Sequence, residues 1–345
     1  MTGAKPLFGD IRRNWVPAEF ARRLRAEPRA VVVAGVELAL FRDARGVAHA
    51  LVDRCPHRSV RLSLGRVADG CLECPYHGWR FAGDGRCERV PFNPEAKREQ
   101  LGAVAVPTVE RGGLIWVFTD ETARPNAPEL AAGPKVPELL EAPDQRRREA
   151  EFVWRCHWTR LAENMLDVPH LPFVHRRTIG RSLATQTALQ QVEATDYGFE
   201  LRWHVADAPP SADPFTSEAQ AGKAFLQWWR PSASVLDLPN PLGDYRQHLF
   251  SVPGKPGETR LLLVSTRRYA LGLDLLFKPM IDWFEDRIVG EDQAVIESSE
   301  PAVVPEPGVE RSVATDAATL RFRKWYHQHQ RELAGASGPE PERPD

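Results

Sequence analysis

Two short stretches constrain this chain more than anything else in it. They are Cys55-Pro-His-Arg and, with sixteen residues between that histidine and the next cysteine, Cys74-Pro-Tyr-His-Gly-Trp. Together Cys55, His57, Cys74 and His77 offer two thiolates and two imidazoles, a donor set that suits zinc or an iron–sulfur cluster. Zinc fingers usually pair Cys with Cys and His with His. Cys71 and Cys74 do form a Cys-x2-Cys step, which could open a zinc knuckle with Cys55 and a histidine. Yet each loop here carries one Cys and one His, so each can give one ligand to each iron of a [2Fe–2S] cluster. Neutral imidazoles in place of two thiolates reduce the negative charge of such a cluster and raise its potential. On that reading Cys71 and Cys87 are ordinary small residues.

The loops are set in a β-rich stretch. "VVVAG", "VELALFRD", "VAHALVD" and "GGLIWVF" between residues 30 and 120 read as short strands broken at glycine and turn residues. Loops held on a small rigid β structure commonly present metal ligands. With 345 residues the chain has room for two domains and a sizeable core. We expect a first domain over 10–122, a Pro-rich connection over 123–148, a second domain over 149–333 and a disordered tail over 334–345. Arg146, Arg147 and Arg148 read as a solvated face. The second domain mixes helical patterns ("TRLAENMLDV", "LLFKPMIDWFEDRIVGEDQAVIESS") with strands ("FELRWHV", "QWWR", "RQHLFSV", "RLLLVSTRRYA"). The fold class is therefore α+β: an all-β domain followed by helices on an antiparallel sheet.

Composition closes off several functions. A net charge of −2 gives no electrostatic reason to bind nucleic acid. Five cysteines in a chain this long argue against a secreted disulfide framework. The N-terminus lacks the apolar stretch of a signal peptide, and no apolar run approaches the roughly 18 residues that span a bilayer. A soluble, cytoplasmic protein is expected.

A lone electron carrier would need only the first domain, so the rest of the chain must show where the electrons go. "ENMLDVPHLPFVH" supplies Asn164, Asp167, His170 and His175. Two histidines and one carboxylate hold a non-haem iron that leaves positions open for dioxygen and substrate. His170 and His175 would point about 140° apart on an unbroken helix. Pro172 is expected to end that helix and let His175 fold back. Asp167 shares a face with His170, and Asn164 lies one turn earlier. An acid beside a metal-bound imidazole fixes its tautomer and orientation. The third ligand must be distant. Asp292 lies on an apolar helical stripe of Leu276, Met280, Phe284, Ile288 and Val295, where an unpartnered acid would be costly. Glu291, about 100° round the helix, is expected to be solvated. Trp228 and Trp229 alternate across a strand that begins near Phe225, and one could line a pocket. His157, His204 and His248 read as satisfied core or surface groups.

"CPHR" and "CPYHGW" resemble the two ligand loops of the Rieske family, and D-x2-H-x4-H after them resembles the Rieske oxygenase pattern over nearly the whole chain. The resemblance implies Cys55 and Cys74 on the buried iron of a [2Fe–2S] Rieske cluster, His57 and His77 on the exposed iron, and Trp79 packed on the loops. It implies a helix-grip catalytic domain with mononuclear Fe(II) on His170, His175 and Asp292. It gives Asp167 the role of bridging a cluster histidine to an iron histidine. It further implies a ferredoxin or reductase as partner, NAD(P)H as indirect donor, and a homotrimer with each Rieske domain against the next chain. Arg54, Arg58, Arg61, Arg66, Arg80, Arg86 and Arg89 could steer an acidic redox partner or dock a neighbouring subunit. Within the family the chain looks like the shorter monooxygenases of the vanillate O-demethylase and dicamba monooxygenase-like group, which includes natural-product-tailoring enzymes. Monooxygenation of an apolar or aromatic small molecule is expected. A cis-dihydroxylating ring oxygenase, or an electron carrier fused to a small-molecule binding domain, are the alternatives.

Overall fold

The computed structural model describes residues 7–123, 128–137, 140–141, 146–182, 188–205, 226–238, 243–269 and 278–335. Phe225, Leu276, most of the tail expected over 334–345 and parts of the Pro-rich connection lie outside them. The chain divides into two compact units. One comprises Met1–Gln145, Glu149–Val153 and Phe250–Leu263; the other comprises Arg146–Arg148, Trp154–Leu249 and Val264–Asp345.

The first unit is a stack of small antiparallel sheets. Strands β1 (Trp15–Phe20), β10 (Thr108–Arg111) and β11 (Leu114–Phe118) form one, in the order β1-β11-β10. Gly112 and Gly113, both at positive φ, turn β10 into β11. A second sheet runs β2 (Arg29–Val33), β3 (Val36–Arg42), β4 (Ala48–Val52) and β9 (Ala105–Val106). The third orders β5 (Arg66–Ala68), β6 (Cys71–Glu73), β7 (Arg80–Phe81) and β8 (Cys87–Arg89). Ala39, Phe41 and Leu51 from the second sheet pack with Leu72, Phe81 and Cys87 from the third, and Cys55 and Cys74 belong to the same buried cluster. A one-turn helix, α1 (Pro128–Ala132), follows.

The second unit is a mixed helix and antiparallel-sheet structure. A seven-stranded sheet has the order β12-β18-β17-β16-β15-β14-β13, with β12 at Arg146–Trp154, β13 at Ala188–Ala194, β14 at Gly198–Val205, β15 at Leu226–Trp229, β16 at Ala233–Leu238, β17 at Gly243–Pro253 and β18 at Thr259–Tyr269. Among the described residues this unit has the helices α2 (Trp158–Leu166), α3 (Leu171–Val174), α4 (Lys278–Ile296) and α5 (Ala317–Gly335). An aromatic cluster of Trp158, Trp228, Phe322 and Tyr326 joins α2, β15 and α5. No helix among the described residues is long and apolar enough to cross a membrane.

Four expectations need correction. Arg148 is not solvated: it lies in β12 and pairs with Glu285 and with Asp286 on α4. Pro172 does not end the helix before the histidines. The break falls at Asp167, whose backbone is extended; Pro169 and Pro172 then sit in the first turns of the 3-10 helix and of α3, where a missing N–H is tolerated. The apolar stripe on α4 is not its buried face, since Met280 and Val295 are exposed and the buried residues are Glu285, Val289 and Asp292. A polar network anchors that face instead. Arg148, Tyr245 and Ser265 all bond to Glu285. Finally, His248 is fully buried with neither ring nitrogen hydrogen-bonded among the described residues, which is not the satisfied group expected.

Candidate metal centres

The cluster loops have one frame built twice. In residues 55–60, Cys55 N–H donates to the carbonyl of Val60 and Ser59 N–H to that of Cys55; in residues 74–79, Cys74 N–H donates to Trp79 and Gly78 N–H to Cys74. The fifth position of each loop has positive φ, +54° at Ser59 and +67° at Gly78. This shared turn aims each cysteine inward and each histidine outward. Cys55 and Cys74 are 2% and 3% exposed. Burial, with the Cys74 thiol alongside, pushes the Cys55 thiol up to about 11. A cation is what would offset that cost and hold both as thiolates. The rings of His57 and His77 lie 4.7 Å apart. His57 Nδ1 is buried without a hydrogen-bond partner, and partial burial holds its pKa below the ordinary imidazole value, with His77 and Arg58 adding to the effect. The ring is therefore a neutral donor with a free nitrogen, which fits a metal ligand.

The loops are supported by Trp79, as the resemblance implied, and by Asp53, which carried no sequence signal. Trp79 stacks flat on His57 at 4.6 Å. Asp53, 1% exposed, accepts from Ser63 N–H at 2.7 Å and Ser63 Oγ at 2.6 Å, closing the segment that holds the first loop. The arginines expected to form a positive field are mostly compensated. Arg54 and Arg61 pair with Glu37, Arg66 and Arg80 with Glu73, and Arg86 with Asp84.

In the second unit His170, His175 and Asp292 each present a ligand atom, all within 4.8 Å of one another. Asp292 Oδ1 stands 3.3 Å from His170 Nε2 and 3.1 Å from His175 Nε2, yet makes no hydrogen bond. Ligands about 2.1 Å from one ion and at right angles to each other are about 3 Å apart. These separations, and a buried oxygen that two nitrogens approach without bonding it, fit a shared ion. Burial works to raise the Asp292 carboxyl, but the two imidazoles outweigh it and its pKa falls. For His175 burial works downward, while Asp292 and Glu291 carry the balance upward.

Each ligand is placed by a different device. α2 ends at Leu166, and a single 3-10 turn over Val168–His170 then swings His170 toward α4. His175 closes α3, and its carbonyl accepts from both Thr178 N–H and Gly180 N–H. A side chain at Gly180 would put a carbon 2.0 Å from the Leu171 carbonyl oxygen, so only glycine fits this turn. Asp292 faces inward one turn after Val289.

Asp167 sits between α2 and the 3-10 turn, and burial raises its carboxyl despite the nearby His170. It does not bond the His170 ring: Nδ1 of His170 is buried without a hydrogen-bond partner. Asn164 is buried on α2, its Nδ2 also unpartnered. Trp228 is core, while Trp229 stacks on Tyr197 at 3.7 Å. His157 caps α2 by accepting from Thr159 N–H; the side chain of His204 lies outside the description. Sequence reasoning misplaced Glu291. It is not solvated but accepts from His175 Nδ1 at 3.0 Å and Thr178 Oγ1 at 2.6 Å. The only signal was its place beside Asp292.

Residues 14–109 match the Rieske [2Fe-2S] domain. Residues 154–332, just over half of the chain, match the vanillate O-demethylase oxygenase C-terminal domain. The chain is 27% identical over 370 residues to chlorophyllide a oxygenase of Chlamydomonas reinhardtii, covering 96% of this chain and 50% of that protein. It is 34% identical over 168 residues to the oxygenase component of dicamba O-demethylase from Stenotrophomonas maltophilia, covering 48% of each. The chain thus spans about half the length of these two relatives. It is 29% identical over 342 residues to methylxanthine N3-demethylase NdmB of Pseudomonas putida, covering 94% and 92%. The solved structure of NdmB superposes with a TM-score of 0.76 at 27% identity, covering 96% of this chain and 95% of that one.

Proposed function

The chain belongs to the Rieske non-haem iron oxygenase family, and from that premise we propose that it monooxygenates an apolar or aromatic small molecule, with O- or N-demethylation as the favoured outcome. One observation carries the reading. The ligand atoms of His170, His175 and Asp292 converge within 4.8 Å in a chain that also carries both cluster loops. The names of two relatives, a dicamba O-demethylase and a methylxanthine N3-demethylase, support the choice of outcome.

Cys55, His57, Cys74 and His77 would hold the cluster, and His170, His175 and Asp292 the mononuclear iron. When bound, these groups supply single electrons and a centre for reducing dioxygen. Burial of Cys55 and Cys74 keeps solvent from the sulfur side, while Trp79 holds the plane of His57. Asn164 and Asp167 are the further catalytic candidates, Asp167 as the carboxylate beside His170. Electrons would come from a ferredoxin or reductase and ultimately from NAD(P)H. Free cysteines throughout support a reducing, cytoplasmic setting.

The test is oxygen uptake with a reductase and a panel of methoxy- and N-methyl-aromatics. One substrate-dependent oxidation per dioxygen, with formaldehyde released, supports the reading; iron-free protein that binds the panel without uptake overturns it. We further propose a homotrimer in which electrons cross between chains. Co-expressed His57→Ala and His170→Ala chains would then rescue each other, and inactive, metal-loaded mixed oligomers would rule this out.

A further inference from the structure

We propose that Glu291 is a positioning residue for the mononuclear iron site, holding His175 by Nδ1 so that Nε2 is presented to the metal; this rests on the iron reading above.

The two nitrogens of the His175 ring face adjacent residues of α4. Its Nε2 faces Asp292 Oδ1 at 3.1 Å, and its Nδ1 faces Glu291 Oε2 at 3.0 Å. The ring is 1% exposed, so no solvent can substitute for either partner. A carboxylate only accepts, so the proton of the neutral ring is drawn to Nδ1 and the lone pair is left on Nε2. Glu291 is itself held. Its Oε2 accepts from Thr178 Oγ1 at 2.6 Å, and its Oε1 faces Arg287 one turn earlier at 3.4 Å. Thr178 N–H in turn donates to the carbonyl of His175. The circuit runs from the His175 backbone to Thr178, to Glu291 and back to the His175 ring. Backbone and ring of one ligand are thereby fixed by a single side chain on the helix that supplies another ligand.

The second histidine has no such support: His170 Nδ1 has no hydrogen-bond partner among the described residues. The two imidazoles are thus unequal donors. The carboxylate-backed ring is the more basic and the better oriented. Loss of such a partner typically weakens metal affinity 10- to 100-fold.

The experiment uses the full chain with its cluster in place and the mononuclear iron removed by a chelator. Fe(II) is titrated back anaerobically, and nitric oxide is added to read the iron's electron paramagnetic resonance signal while the oxidised cluster is silent. Glu291→Ala is expected to weaken Fe(II) binding about 10- to 100-fold and to change the rhombicity of that signal, with the cluster's visible spectrum unaltered. Glu291→Gln keeps an oxygen that can accept from His175 and Thr178 but loses the charge, so an intermediate loss of roughly 3- to 10-fold is expected. An Ala variant within twofold of the parent and with the parent's signal overturns the proposal. Should the Ala variant not hold its cluster, a Gln variant matching the parent in both readouts overturns it. Parent protein that takes up no iron here defeats the iron-site reading itself.

Discussion

In the first unit the four cluster ligands come from two six-residue loops, 55–60 and 74–79, closed by the same pair of backbone hydrogen bonds. In the second unit the three candidate ligand atoms come from positions 170, 175 and 292, and each is placed by a different device: a 3-10 turn, the end of a short helix and the inner face of a long one. The first site is local geometry repeated. The second exists only when α4 is docked on the turns that follow α2. A local site should tolerate damage elsewhere, whereas an assembled site should register any change in how α4 or the 175–180 turn is held.

The sharpest break of the comparison is at the ligands. Asp292→Ala is expected to abolish turnover and lose the mononuclear iron while the cluster's visible spectrum stays intact; His57→Ala should do the reverse for the metals. Metal analysis with acid-labile sulfide decides it, and loss of both centres in either variant would mean that the two sites are not independent.

Next in size is the anchoring of α4. Arg148→Met leaves Glu285, 2% exposed, without its cation, facing only Tyr245 and Ser265. Removing one partner of a buried pair costs about 3–5 kcal/mol. We expect a loss at the upper part of that range to be softened by the two remaining donors, with iron occupancy falling and the cluster unchanged. Denaturant unfolding followed at cluster absorbance and at far-UV circular dichroism would separate the units; coincident losses in both would contradict the distinction.

Gly180→Ala probes the turn. The added carbon meets the Leu171 carbonyl at 2.0 Å, so the backbone must shift, at about 1–3 kcal/mol. Iron affinity should drop several-fold, since His175 moves with the turn. Unchanged Fe(II) binding would show that His175 is held without it.

The smallest effect is expected in the repeated loops. Ser59→Gly relieves a left-handed residue but adds freedom to the unfolded chain, two terms of about 1 kcal/mol that largely cancel. Stability and cluster potential should stay near the parent values. A large shift in potential would mean that Ser59 does more than turn the loop.

How legible the molecule was follows the same division. The strands around the cluster loops were readable because alternation and glycine turns are local signals, and the loops themselves carry their ligands in four- and six-residue stretches. On α4 the apolar stripe misled. Met280 and Val295 are exposed, and the buried face is set by Glu285, whose partners Arg148, Tyr245 and Ser265 come from three strands. Hydrophobic periodicity cannot report a face that is buried by ion pairing. Glu291 was misread for the same reason. Counting degrees around a helix assumes that one neighbour alone can face inward, whereas here His175 lies where two adjacent side chains both reach its ring.

By itself the sequence determined the chemistry: the residue types at 55, 57, 74 and 77, and the histidines at 170 and 175, limit which metals could be held. The tertiary structure alone decided which acid backs His175 Nδ1 and that His170 Nδ1 has no such partner among the described residues. Ligand identity is a property of side chains and short spacings. Orientation and tautomer depend on what is packed against the ring, and that is set by contacts between residues more than a hundred positions apart.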